Sequence, residues 1–188
     1  MNFVDVFIIF VITLILIMFI QNHYGEVEYV VSTIDKKNYL VRKLQDKQAA
    51  ADYLADINKR LTRLVRHMVA KHGQNAEVLQ LYKNYNPDAV SEGSIESGYT
   101  SYSVNKGEKL ILCIRQKDKS FVEKNVVMYV AIHELSHIMT KEIGHTDTFW
   151  ANFKFLLEEA IDIGLYSKKD FNREPADYCG IKITNSIV

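Results

Sequence analysis

Cysteine, proline and net charge are all scarce in this 188-residue chain: two cysteines, two prolines, and 23 basic residues balanced by 23 acidic ones. Cys113 and Cys179 lie far apart and form no framework of paired spacings, so the fold is not a disulfide scaffold. Neither is placed like a nucleophile, and Cys113, in an apolar stretch, reads as a small core residue. Zero net charge gives no overall attraction to nucleic acid or to an acidic membrane. There are no repeats, low-complexity tracts or proline-rich linkers, which excludes a solenoid or a string of tethered modules.

The N-terminus also lacks what a secretion signal needs. It opens Met1-Asn2-Phe3-Val4-Asp5 without a basic residue, and Phe19-Ile20-Gln21-Asn22-His23 offers no small-residue cleavage site. Between them, Phe3 to Ile20 has only Asp5 and Thr13 as polar residues and no polar face. At 1.5 Å per residue such a helix spans about 27 Å, enough for a hydrocarbon core. The expectation is an uncleaved transmembrane anchor over 1–22, with the membrane contacted through residues 3–20. A connector follows over 23–44, containing the alternating strand-like Val27 to Thr33, and one soluble domain over 45–188. Roughly 165 residues beyond the anchor suffice for one buried core. Lys36, Lys37, Arg42 and Lys43 follow the anchor and no basic residue precedes it, so positive-inside bias places 21–188 in the cytosol, although Glu26 and Glu28 come first. Unpaired cysteines agree with that side; one Cys113–Cys179 bridge would fit the reverse.

What the chain does have is His133-Glu134-Leu135-Ser136-His137, an H-E-x-x-H motif. No Gly or Pro occurs from Glu123 to Lys141, and Val126, Val127, Val130, Ala131, Ile138 and Met139 recur with helical spacing. Imidazoles four apart on one helix face can converge on one Zn²⁺. Glu134 then lies beside the metal, able to take a proton from water and hand it to a leaving amine. The alternative is a core helix with two hydrogen-bonded histidines.

A hydrolytic zinc site needs a third protein ligand and an open fourth position. The metzincin spacing fails, because Thr140 and Ile143 stand where its Gly and His belong. Two sources remain. His145 follows Gly144, a residue suited to ending the helix and turning the chain back. Glu158 and Glu159, in the cluster Glu158 to Asp162, resemble the gluzincin arrangement, although acidic residues usually line a solvated face. Ligand preference and motif context favour His145.

Gly144-His145-Thr146-Asp147-Thr148-Phe149-Trp150 resembles the G-H-x-x-x-F-W element that follows H-E-x-x-H in WLM and SprT-like metallopeptidases. Leu112-Cys113-Ile114-Arg115 resembles the strand preceding the motif in WLM proteins. The resemblance covers about residues 94–165. It implies His133, His137 and His145 as zinc ligands, Glu134 as catalytic base, and Phe149 and Trp150 as packing residues. Seven residues separate His137 from His145, where the WLM pattern usually has five. The resemblance also implies DNA-associated proteolysis of trapped proteins, against which the anchor and the neutral charge argue.

Elsewhere the pattern is mostly architectural. A helix is expected from Gln45 to His72, with Leu54, Ile57, Leu61, Leu64, Val65 and Met68 as its buried stripe. Lys59, Arg60, Arg63, Arg66 and Lys71 form a basic side that reads as a solvated face rather than a lipid or nucleic-acid contact. His67 and His72 do not share a face and read as structural. Asn86-Pro87-Asp88 and Ser91 to Ser94 mark loops, and strands Gly98–Val104 and Lys109–Arg115 bracket a hairpin turn. Such a strand can receive an extended peptide by main-chain pairing. Tyr99 and Tyr102 on it, and Arg115, are candidate oxyanion donors, with ordinary packing as the simpler reading for the tyrosines. A helix capped by Thr146 or Asp147 should run to about Gly164, packing through Phe149, Trp150, Phe153, Leu156, Leu157, Ala160 and Ile161. Near the C-terminus Gly180 to Ile183 is a short apolar segment available for pairing.

The expected protein is thus an α+β zincin-like metallopeptidase, an active-site helix on a small antiparallel sheet or hairpin with further helices, behind one transmembrane helix. It would be a Zn²⁺ enzyme acting on polypeptide. A catalytically inert, membrane-tethered zinc module is the alternative outside enzymes.

Overall fold

Helix α2 (Lys47–His72) is the beam on which the domain is assembled. Leu54, Ile57, Leu61, Leu64 and Met68 have no exposed surface. Each such burial is worth about 1.5–3 kcal/mol, so packing rather than propensity sets this helix in place. The computed structural model describes residues 2–93 and 100–188. Ahead of α2 come α1 (Phe3–Gly25) and strands β1 (Val27–Val31) and β2 (Asn38–Arg42). After it come α3 (Ala76–Asn84), β3 (Val90–Glu92), β4 (Tyr102–Val104), β5 (Lys109–Leu112), α4 (Lys124–Met139) and α5 (Asp147–Asp162). A hairpin of β6 (Ala176–Tyr178) and β7 (Ile181–Ile183) closes the order.

The sheet runs β1-β2-β3-β5-β4. It is mixed, not antiparallel as expected: β3 pairs parallel with both β2 and β5, while the β1–β2 and β4–β5 pairs are antiparallel. The stretch expected as a connector supplies two of its strands, because Tyr39 and Val41 alternate inward on β2 and bury against the core. Ser91 and Glu92, expected in a loop, belong to β3. Helix α3 was not foreshadowed. Asn75 starts it, its Oδ1 accepting from the backbone N–H groups of Glu77 and Val78 at 2.8 and 3.2 Å.

Arg115 closes the other end of the sheet and is fully buried. Its Nε donates to Glu92 at 2.8 Å, Nη1 and Nη2 donate to Asp46 at 2.6 and 2.8 Å, and the guanidinium lies 4.3 Å from the Phe121 ring centre. Asp46 precedes α2 yet makes no side-chain cap bond there; its carboxylate serves Arg115 instead. With a further bond from Nη1 to the Lys119 carbonyl at 3.1 Å, four of its five N–H groups are spent on architecture and the side chain is only 1% exposed, which removes it as an oxyanion donor. Tyr99 lies outside the described residues, and Tyr102 is half-buried on β4.

Helix α1 stands apart from this core. Phe3–Ile20 has a mean hydropathy of 3.1 and no residue buried against the domain. Its two polar side chains are satisfied locally: Asp5 and Asn2 form a reciprocal capping box, and Thr13 Oγ1 donates to the Ile9 carbonyl at 2.8 Å. Among the described residues it is the one helix long and apolar enough to cross a membrane.

Candidate metal centre

Helix α4 is buried on nearly all sides, by α5, α3, α2 and the sheet. That is why its sequence shows so little polar face. His133 and His137 emerge from it one turn apart, ring centres 4.9 Å from each other. The helix stops at Met139, five residues before Gly144, because Thr140 turns extended and buries its hydroxyl against Asn152 Nδ2 at 3.0 Å. Gly144 therefore does not end the helix; at φ +90° it turns the exposed loop 141–145 back over α4.

The return brings His145 to the other two. His145 Nε2 is 3.1 Å from His133 Nε2, and all three histidines offer ligand atoms within 4.8 Å of one another. Ligands 2.0–2.1 Å from a tetrahedral zinc are about 3.3 Å apart, so this donor set fits one ion with a position to spare. Phe149, fully buried, forms the floor, with ring centres 4.8, 4.3 and 4.7 Å from His133, His137 and His145. Trp150 stacks on His145 at 5.3 Å and 29°. Burial first, then the imidazoles of His137 and His145, lowers His133 to about 3; burial, then His145 and the Lys106 ammonium, lowers His137 to about 4, so both are held neutral and ready to bind metal.

Glu134, adjacent to His133 on α4, is buried, 6% exposed. Burial pushes its carboxyl up to about 8, against the opposing pull of a hydrogen bond from the Ser103 backbone N–H on β4. Glu158 and Glu159 do not join the histidines. Glu158 is mostly exposed, 3.8 Å from Lys154. Glu159 faces α2, accepting from His67 at 2.7 Å, His72 at 2.8 Å and Lys71 at 2.9 Å. Its own burial raises its pKa, those three donors outweigh the effect, and the carboxyl rests at about 2. His67 and His72 are thereby helix-packing residues, but contrary to the expectation from their spacing they do converge, on the one carboxylate of Glu159.

Lys106 carried no signal in the sequence. It occupies the β4–β5 turn with Asn105 and Gly107, all at positive φ, and a Cβ on Gly107 would lie 2.5 Å from the Asn84 carbonyl oxygen. From there Lys106 Nζ donates to the carbonyls of His137, Thr140 and Glu142 at 3.2, 2.8 and 2.7 Å. A lysine on the last carbonyls of a helix meets both their lone pairs and the helix dipole. Here it also fixes the start of the loop that ends in His145.

Cys113 and Cys179, both buried, are joined in a disulfide rather than left unpaired, their Cα atoms 6.3 Å apart. Cys113 is a core residue as expected, but a bonded one, because the hairpin brings Cys179 back from 66 residues away.

An α+β domain with H-E-x-x-H on a buried helix and a third histidine beyond it falls in the zincin-like class. More narrowly, the chain belongs to the WLM domain family, whose model matches residues 32–186. It is 34% identical over 169 residues to uncharacterized protein R325 of Acanthamoeba polyphaga mimivirus, covering 87% of this chain and 86% of that protein. Uncharacterized protein 042R of Invertebrate iridescent virus 3 is 40% identical over 84 residues, 43% of this chain and 50% of its own. A crystal structure of a Wss1 mutant from Saccharomyces cerevisiae shares the fold at a TM-score of 0.51 and 17% identity, over 67% of this chain and 91% of its own.

Proposed function

We propose that this protein is a membrane-anchored zinc metallopeptidase, with His133, His137 and His145 as ligands and Glu134 as general base. The observation that carries the reading is the convergence of three imidazoles from α4 and the loop after it, with a buried carboxylate one residue from the first. Zinc bound there would supply a Lewis acid for the scissile carbonyl and make a water acidic enough to attack at neutral pH. Glu134 would accept that water's proton and pass it to the departing amine. Its carboxylate is oriented by the Ser103 N–H and shielded from bulk water. β4, the outermost strand of the sheet among the described residues and packed beside α4, would bind an extended peptide through main-chain hydrogen bonds, which demands little of its sequence.

Residues 3–20 are proposed as the anchor, with the folded domain beginning at β1 rather than at residue 45. Orientation follows the disulfide rather than the flanking charges. Lys37 is paired with Asp88 and Arg42 lies within β2, so these are residues of the folded domain. A buried disulfide persists in an oxidising compartment, and we place the domain on that side of the membrane. The DNA-associated reading draws no support from α2, where Arg60 and Lys71 are paired with Asp56 and Glu159.

The test is cleavage of an unstructured polypeptide by the full chain in detergent. Activity should vanish on chelation, return with zinc, and be absent in Glu134→Gln. A zinc-loaded protein that cleaves nothing would make it the inert tethered module instead.

A further inference from the structure

The C-terminal hairpin takes no part in the reaction described above, yet it is fastened beside it with unusual care. β6 packs against α4. Gln116 bridges the end of the sheet to the hairpin, its Nε2 donating to the Asp177 carbonyl at 2.8 Å and its Oε1 accepting from the Cys179 N–H at 3.0 Å. The Cys113–Cys179 bond holds the same point covalently. Between those fastenings Tyr178 has no exposed surface, and its hydroxyl lies 2.5 Å from Ser101 Oγ. Ser101 Oγ also accepts from the Cys113 N–H at 2.9 Å. Burial keeps the Tyr178 phenol far above its ordinary range, so it stays a neutral hydrogen-bonding group.

Ser101 immediately precedes β4, an edge strand of three residues whose other neighbour is the β4–β5 turn. Two residues on, Ser103 gives its N–H to Glu134. So short an edge strand has few ladder bonds of its own to define its position. Its start is held by Ser101 Oγ, which meets both the Tyr178 hydroxyl and the Cys113 N–H.

We propose that Tyr178 is a positioning residue for peptide hydrolysis: through Ser101 it fixes β4, and so fixes both the N–H that orients Glu134 and the edge that receives substrate. Gln116 and the disulfide fix Tyr178 in turn. The proposal rests on the peptidase reading above, but the clamp itself is observable without activity.

Tyr178→Phe removes one oxygen and leaves the buried ring. In the zinc-loaded full chain it should lower kcat/KM for an unstructured polypeptide about tenfold, the cost of one buried hydrogen bond. The loss should appear in both kcat, through Glu134, and KM, through the edge. Zinc stoichiometry and the visible spectrum of the Co²⁺ form should not change. Ser101→Ala should give the same loss, and the double variant no more than either single one. Amide exchange at Ser103 should quicken about tenfold in both variants. Unchanged kcat/KM, or additive losses, would overturn the positioning role. Unchanged exchange at Ser103 would overturn the clamp even if the wild type proved inactive; an inactive wild type with quickened exchange would sink the peptidase reading and the positioning role together, leaving only the clamp.

Discussion

Nε2 of His145 lies 3.1 Å from Nε2 of His133, although the two belong to different elements and stand twelve residues apart. One helix supplies a pair of imidazoles; what makes three is the turn after it and the residues that hold that turn. Thr140 stops α4, Lys106 ties down the carbonyls of residues 137, 140 and 142, Gly144 reverses the chain, and Trp150 stacks on the ring that arrives.

His145→Ala should therefore weaken zinc binding by about 100-fold or more, since even indirect supports of a ligand are worth 10–100-fold. Glu158→Ala should leave it unchanged. Competition against a chromophoric chelator measures both, and the reverse ranking would return the third ligand to α5.

Glu134→Gln keeps the shape of the side chain and its hydrogen bond from Ser103. Peptide cleavage should fall by about 10²–10⁴, the range for loss of a positioned general base. Zinc content, read by atomic emission, should stay at one per chain. Retained cleavage would end the case for Glu134 as base.

The metal-free protein should carry the mark of that buried carboxyl in its pH stability. Burial raises Glu134 from 4.5 to about 8. The folded state then keeps a proton that the unfolded state releases, so its contribution is whole below pH 4.5 and is lost as pH rises through 8. His133 and His137 act oppositely: lowered from 6.5 to about 3 and about 4, they contribute above pH 6.5 and lose that as pH falls through those values. Comparing Glu134→Gln with wild type cancels the histidines. In chelator, the variant's melting temperature should gain on wild type steadily from pH 5 to pH 8. A constant gap across that range would refute the burial of Glu134.

Reduction is the fourth test. The disulfide spans 66 residues, and closing a loop of that size stabilises a folded chain by about 4 kcal/mol on the chain-entropy account. Urea unfolding with and without reductant should differ by about that amount. Thiol labelling of protein taken from its host membranes should modify Cys113 and Cys179 only after denaturation and reduction. Labelling after denaturation alone would return the domain to the cytosolic side that Lys36, Lys37, Arg42 and Lys43 suggest.

Long periodic segments were legible in the sequence because their signal is local. α2 and α5 fall within two residues of their expected ends, α4 stops five residues short of Gly144, and Thr146 caps α5 as its position implied. The partners of a three-residue strand are not local. Val90 to Glu92 looks like a loop beside Gly93, and only parallel pairing to β2 and β5 makes it a strand. The same holds at the site. His133, Glu134 and His137 announce themselves within five residues, and the family resemblance reached His145. Lys106, Tyr178 and the Cys113–Cys179 bond act across 31 to 77 residues, through contacts that no spacing rule encodes.

That bond encloses α4, the turn after it and α5, so the three histidines and Glu134 all lie within one covalent ring. The exposed stretch 141–145, which ends in His145, lies in the ring as well. A peptidase that nicked a neighbouring copy there would not shed a fragment. The cut molecule would migrate as one band without reductant and as two with it, and self-inflicted damage would open the ring while leaving both halves of the site attached.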